Sequence, residues 1–175
     1  FFQVWQGGLS FHGGLSGVII AVVVFTKFRA IPFWQFSDAI ACSAPIGLLL
    51  VRVANFINGE LFGRVTDMPW GMVFPSGGSE PRHPSQLYEA FLEGLVLFVV
   101  LYVLSRNEKI CRKAGQLTGI FMVGYAVARS TVELVRQPDP HLGILTGGLT
   151  MGQWLSIPVF LFGLYLILRH NKRAM

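Results

Sequence analysis

The sequence predicts an all-α membrane protein, a polytopic bundle of about five transmembrane helices in one domain, 1–175. Hydrophobic residues make up 53% of the chain, charged residues only 13%, and the mean hydropathy is +0.56. A soluble domain has about a quarter of its residues charged. Five apolar segments approach the roughly 20 residues that a membrane span needs. They are residues 11–28, 36–57, 86–105, 115–135 and 150–168.

The largest connection between these spans, 58–85, is predicted to be an irregular outer loop. It holds four prolines and five glycines, a composition that specifies turns and cannot continue a helix. Trp70 and Phe74 within it are expected to anchor the loop in the membrane interface, where aromatic side chains concentrate.

The basic residues indicate the orientation of the bundle and argue against nucleic-acid binding. Nine of the fourteen lysines and arginines follow the first, third and fifth spans, which places these ends and the C-terminus in the cytoplasm. The other five are all arginines near the opposite face, where guanidinium forks suit phosphate or carboxylate partners. Two interpretations are compatible with these arginines: they bind an anionic ligand, or they pair with carboxylates of the chain itself. These five residues are Arg52, Arg64, Arg82, Arg129 and Arg136.

The second span ends in a run of charged and amide side chains. Arg52, Asn55 and Asn58 follow each other at intervals of three and share one side of a helix, and Glu60 and Gly63 come just after. An arginine inside a membrane is costly, and a functional site is the default hypothesis for it.

The fourth span carries Tyr125, Arg129 and Glu133 at intervals of four, on one helix face. An intrahelical ion pair that lets an arginine exist in the membrane is one interpretation, and a functional arginine oriented by Glu133 is the other. On the third span, Ser85 is expected to cap the helix start. Glu89 and Glu93 follow in an apolar run, where at least one is expected to be paired or protonated.

The first span opens with His12, which has Gly13 and Gly14 directly after it. A lone histidine in an apolar segment is often a packing residue, but glycine neighbours also permit close approach of a ligand. Cys42 and Cys111 are expected to be free thiols on different levels. The sequence has no zinc-site spacing, P-loop or Gly-x-Ser-x-Gly elbow, so no metal and no cofactor is predicted.

The stretch 52–64 resembles the signature of the prolipoprotein diacylglyceryl transferase family of bacterial inner membranes. That pattern reads Gly-Arg, any residue, Gly or Ala, then Asn-Phe-x-Asn-x-Glu-x-x-Gly, and only Val51 departs from it, in place of the leading glycine. The His-Gly-Gly run at His12, the string 83–89 and the run 125–139 resemble further family motifs. Family members carry additional N-terminal spans, including a His-Trp-Tyr-Gly stretch, so we expect this chain to represent the later part of a longer protein.

The resemblance implies transfer of the diacylglyceryl group of phosphatidylglycerol to the lipobox cysteine thiol of a prolipoprotein, on the periplasmic side. A cysteine thiol is the better nucleophile when it is deprotonated, so a base that removes its proton helps the reaction. His12 is the predicted base. An anionic lipid transporter or flippase, or a non-catalytic lipid-binding fragment, are the alternative functions. The predicted catalytic residues are His12, Arg129 and Glu133, and the predicted phosphatidylglycerol-binding residues are Arg52, Asn55, Asn58, Glu60, Gly63, Glu89, Tyr125 and Gly13.

Overall fold

The computed structural model describes residues 11–137 and 150–169, with side chains from Gly13 onward. Within these residues the chain forms helices and a few isolated β-bridges. The fold is an all-α membrane helix bundle, which confirms the predicted class. The helices are α1 (Phe11–Phe28), α2 (Phe33–Ile57), α3 (Ser85–Glu89), a π-helical segment (Ala90–Val96), α4 (Leu97–Ser105), α5 (Glu108–Cys111), α6 (Gln116–Val132) and α7 (Met151–Leu168).

Three of the described helices are long and apolar enough to cross a membrane: Phe33–Ile57, Ser85–Ser105 and Met151–Leu168. The second of these, Ser85–Ser105, is continuous through α3, the π-helical segment and α4. Because it corresponds to the third predicted span, we call it the third long helix. The described part of α1, Gly13–Phe28, is a shorter apolar helix, and α6 has 17 residues. Five apolar helices thus coincide with the five predicted segments, although α2 begins three residues earlier than expected and α6 ends three residues earlier.

The third long helix packs against α2 and α6, and α6 packs in turn along α7. A buried cluster of Leu97, Leu101 and Leu117 forms the core between α4 and α6. Among the described helices, α1 contacts only α2. Many apolar side chains on the outside of the helices stay exposed, as expected where lipid is the solvent.

We name the two ends of the bundle by their connections: the 58–84 end and the 106–114 end. At the 106–114 end, buried Asp38 of α2 accepts hydrogen bonds from the backbone N–H groups of Gly115 and Thr118, each at 2.7 Å. The Arg169 guanidinium lies 4.3 Å from the centre of the Trp34 ring and donates to the Ala114 carbonyl. These contacts tie α2, α6 and α7 together.

Cys42 and Cys111 are both free thiols, as predicted. The expectation that they lie on different levels was wrong, because both line one cavity of about 280 Å³ near the 106–114 end. The short helix α5, which was not predicted, ends at Cys111, whose side chain lines this cavity together with Cys42.

The 58–84 connection folds back on itself through bridges of Arg82 with Val65 and Met72. Phe74 is 4% exposed and packs against the rings of Phe62 and Phe56, at centroid distances of 5.3 and 6.1 Å. The expectation that Phe74 anchors the loop in the interface was therefore wrong, since the ring forms the loop's own core. Trp70 remains exposed and donates its Nε1–H to the Tyr88 hydroxyl at 2.7 Å.

The start of the third long helix also differs from the expectation. Pro84 occupies the N-cap position, and the Ser85 hydroxyl donates instead to the Leu61 carbonyl at 3.1 Å. The helix then widens into the π-helical segment, a form that is rare and frequent at functional sites. Gly94 in this segment lies directly against α2, since a Cβ there would stand 2.9 Å from Leu49 Cα.

Candidate active site

The centre of the site is the carboxylate of Glu89, which is fully buried. Its Oε2 lies 3.1 Å from Arg52 Nε of α2, and its Oε1 accepts a hydrogen bond from Arg129 Nη1 of α6. The Arg52 contact is an ion pair by distance but lacks hydrogen-bond alignment, since neither Arg52 Nε nor Glu89 Oε2 has a hydrogen-bond partner. Two arginines that lie 77 residues apart in sequence thus share one acid.

Glu93 lies beside this centre and is equally buried. It stands four residues after Glu89, within the π-helical segment, with Oε2 3.7 Å from Arg52 Nη2 and Oε1 4.0 Å from Arg129 Nη1. Glu93 was not among the predicted site residues. Its interval of four from Glu89 was the available signal.

A second ion-paired group continues from Arg129 toward the end of the bundle. Arg129 Nη2 lies 3.1 Å from Glu133 Oε2, and Arg136 Nη1 lies 3.9 Å from the same oxygen. Glu133 also faces the first turn of α7, where a Cβ at Gly152 would stand 2.9 Å from Oε2. The absence of a side chain at residue 152 therefore leaves room for the carboxylate beside a helix N-terminus, which favours negative charge.

Elementary helix geometry explains how these groups reach one level. Arg52 lies five residues before the end of α2, about 8 Å along the axis. Glu89 and Arg129 approach from the start of the third long helix and the end of α6. In the described part of the cluster, three guanidinium groups face three carboxylates. Each charge is costly alone in a membrane and is tolerated because it is paired.

The Arg52 and Arg129 side chains are 15% and 12% exposed, whereas Glu89 and Glu93 are fully enclosed. The two arginine side chains are therefore more accessible than the carboxylates they contact. Bidentate guanidinium forks match the oxygens of a phosphate group. The arrangement can hold an anionic phosphate ester at its exposed edge.

Asn55 and Asn58 contribute to a different contact. Their amide groups donate to Glu60 Oε1, at 2.8 Å and 3.3 Å. These hydrogen bonds, that of Asn55 first, lower the pKa of the exposed Glu60 carboxyl below its ordinary value of 4.5. Buried Gln86 donates to the Glu60 backbone carbonyl at 2.6 Å, which fixes this turn to α3. The structure therefore brings Asn55, Asn58 and Glu60 together as one polar group.

Gly63 connects the loop to the end of α6. Its N–H donates to the His83 carbonyl at 2.8 Å, and a Cβ at this position would stand 2.6 Å from the Val135 carbonyl oxygen. Arg64 continues the contact, because its backbone N–H donates to Val135 and its Nε donates to the Arg136 carbonyl. Gly63 is thus enclosed by two segments that end at the ion-paired cluster.

Tyr125 lies one turn before Arg129 on α6 and stacks on Phe121, with ring centroids 6.1 Å apart. It packs against the leucine core and stands within electrostatic range of Glu93 and Arg52. Gly13 lies near the start of α1 and is partly exposed. The side chain of His12 falls outside the described residues, so its predicted role as a base remains a prediction.

The described residues show no group of three or more His, Cys, Asp or Glu side chains that could hold a metal ion. The candidate site consists instead of arginines with acids as their partners.

The family model for prolipoprotein diacylglyceryl transferase matches residues 1–169. Several bacteria have proteins named phosphatidylglycerol–prolipoprotein diacylglyceryl transferase that are similar to this chain. The one from Paramagnetospirillum magneticum is 59% identical over 98% of this chain and 65% of its own length. Those from Shewanella oneidensis and Allorhizobium ampelinum are 56% and 55% identical, over 96% and 97% of the chain and 62% and 60% of their own lengths.

The chain thus spans about 60 to 65% of the length of the curated relatives it matches. Its match to the family model covers every described residue, including all those of the ion-paired cluster. The chain belongs to the prolipoprotein diacylglyceryl transferase family.

Proposed function

We propose that the protein containing this chain transfers the diacylglyceryl group of phosphatidylglycerol to the lipobox cysteine thiol of a prolipoprotein. The observation that carries the proposal is the pair of partly buried arginines, Arg52 and Arg129, held on separate helices by one shared acid, Glu89. We expect these partly exposed arginine side chains to meet the lipid phosphate at the 58–84 end of the bundle. The names of the family and of the relatives support the same reaction.

The transfer exchanges one bond for another. The cysteine sulfur forms a bond to the carbon that bears the phosphate ester oxygen, and the carbon–oxygen bond breaks. The electron pair of that bond stays on the phosphate oxygen, so glycerol phosphate leaves as an anion. The thiol proton passes to a base, and we propose His12 for this step.

Each group of the site has a proposed task. Arg52 and Arg129 bind the phosphate and stabilise the charge that develops on the leaving oxygen. Glu89 and Glu133 orient the two guanidinium groups. The polar group of Asn55, Asn58 and Glu60 binds the glycerol head group. Gly63, Tyr125 and Gly13 shape the walls of the site.

The protein is proposed to be a multi-pass protein of the bacterial inner membrane, with the 58–84 end toward the periplasm. The 106–114 connection carries four basic residues against one acidic residue, as expected of a cytoplasmic loop. The polar cluster at one end favours a transferase over a flippase, which would need polar groups along both halves of its path. Buried Asp38 in the other half is fully engaged in capping α6.

The test is lipid transfer to a lipobox peptide by the full-length protein, with the thioether product measured by mass spectrometry. Arg52→Lys should lower the rate by roughly 100-fold, because a point charge cannot replace a bidentate donor at the leaving group. Arg112→Lys is the matched control, since this side chain is 80% exposed at the 106–114 end. Equal rates for Arg52→Lys and the wild type would refute the phosphate-binding role. Lipid translocation without a thioether product would favour the flippase.

A further inference from the structure

Glu93 differs from Glu89 because it has charged neighbours without a hydrogen bond, and from Glu133 because its nearest ion-pair contact is longer, 3.7 Å against 3.1 Å. Its side chain is 0% exposed, and neither carboxylate oxygen has a hydrogen-bond partner. Its two contacts with Arg52 and Arg129 are 3.7 and 4.0 Å long, whereas Glu89 accepts a hydrogen bond from Arg129. A buried carboxylate without hydrogen bonds is costly as an anion. Glu93 is therefore the acid of this cluster that gains most from taking up a proton.

The groups around Glu93 come from three helices. Arg52 faces it from α2, Arg129 and Tyr125 face it from α6, and Glu89 faces it from its own helix. Two guanidinium groups therefore balance the two carboxylates of Glu89 and Glu93. This balance leaves no excess positive charge for a further anion at the same arginines.

A lipid phosphodiester adds one negative charge when it binds at the exposed edge of these arginines. Like charges that share a buried site raise each other's proton affinity. The charge balance returns when one acid becomes neutral, and Glu93 is the acid with the longest ion-pair contacts. A neutral Glu93 would also free the guanidinium groups to turn toward the phosphate.

We propose that the site binds its anionic phosphate ligand together with one proton, which Glu93 accepts. The proton comes from the solvent, and it returns there when the anionic ligand or product leaves. The inference rests on the proposed function, because it takes phosphatidylglycerol as the anion. It adds a role for an acid that the sequence motifs did not place in the site.

The test measures proton uptake on lipid binding to the full-length protein in detergent. Short-chain phosphatidylglycerol is titrated calorimetrically in two buffers with different ionisation enthalpies, from about pH 6 to about pH 8.5. The wild type should take up about one proton per lipid. Its affinity should weaken by up to roughly tenfold per pH unit where the uptake occurs.

Glu93→Gln supplies the neutral side chain in advance. This variant should bind phosphatidylglycerol without proton uptake, with an affinity that is independent of pH and at least equal to that of the wild type at the alkaline end. Glu108→Gln is the matched control, since this acid is 83% exposed at the 106–114 end, and it should keep the proton uptake. Short-chain diacylglycerol, which has no phosphate, should bind without proton uptake.

Three results would overturn the inference: a wild type that binds the lipid without taking up a proton, a Glu93→Gln variant with an unchanged pH dependence, or a folded Glu93→Gln variant that binds no lipid. If Glu93→Gln does not fold, the proton count of the wild type alone decides. Failure of the wild type to bind phosphatidylglycerol at any pH would contradict the proposed function itself, whatever the role of Glu93.

Discussion

Arg52 of α2 and Arg129 of α6 contact opposite oxygens of the same Glu89 carboxylate. Arg52 Nε lies 3.1 Å from Oε2, and Arg129 Nη1 donates to Oε1. Neither arginine pairs with an acid of α2, because that helix carries only Asp38, at its other end. The third long helix, through Glu89, therefore holds the guanidinium groups of Arg52 and Arg129 at the same level of the bundle.

The shared acid predicts a large effect of Glu89→Gln on stability. The change removes the buried charge that two guanidinium groups face, and breaking a buried ion pair costs about 3 kcal/mol or more. The free energy of unfolding, measured by denaturation in mixed micelles, should fall by about this amount. Glu108→Gln is the control, because Glu108 is 83% exposed in its pair with Arg112, and a surface pair contributes at most about 1 kcal/mol. Similar losses for both variants would contradict the structural role of Glu89.

Gly94 predicts a second effect, on the spacing of α2 and the π-helical segment. In Gly94→Ala the new Cβ would stand 2.8 Å from Leu49 Cβ and 2.9 Å from its Cα, so α2 must shift. We expect a loss of about 1 to 3 kcal/mol in the free energy of unfolding. Lipid transfer should also fall, because Arg52 lies one turn beyond Leu49.

The control for this change lies in α2 itself. A Cβ at Gly47 meets nothing within 4 Å, and alanine is the better helix former by about 1 kcal/mol. Gly47→Ala should therefore leave stability unchanged or raise it slightly. If Gly94→Ala behaves like Gly47→Ala, the close contact with Leu49 does not limit the bundle.

The Glu60 turn should respond to acid. The folded-state pKa of Glu60 lies below 4.5, so its contribution to the turn is fully present above that pH and is lost as the pH falls through the lowered value. In Asn55→Ala the pKa should rise toward 4.5, and Asn58→Ala should raise it less. Carbon NMR of labelled glutamate side chains measures each titration. Asn107→Ala, at the 106–114 end, should leave the Glu60 titration as it is, and a Glu60 titration unaffected by Asn55→Ala would contradict the hydrogen bond.

The proposed base predicts the pH dependence of lipid transfer. His12→Gln should lower the rate at neutral pH by about 100-fold or more, which is the usual contribution of a general base. The rate should recover in part as the pH rises toward the thiol pKa of about 8.5, since the thiolate then forms without help. Transfer rates measured across this range with a cysteine peptide check the idea. A rate that stays low and flat with pH would instead indicate that His12 positions the substrate.

The sequence alone predicted the membrane class, five apolar segments close to the observed helices, and Arg52 and Arg129 as charged groups near one end. These features are local, because hydropathy and the intervals of three and four along a helix are properties of short segments. The helix boundaries differed by three residues at the start of α2 and the end of α6, where polar residues adjoin the apolar run. The two free thiols were also predicted.

Only the tertiary structure decided which charges meet. That Glu89 serves both arginines depends on the rotation and spacing of three helices, which intervals within one helix cannot specify. Glu93 joins the cluster through the π-helical segment, and Gly94 lets that segment approach α2. Phe74 lies in the loop's core for the same reason, since its partners Phe56 and Phe62 come close only after the chain folds back. Contacts within a helix follow from its period, whereas contacts between helices follow from how their surfaces pack.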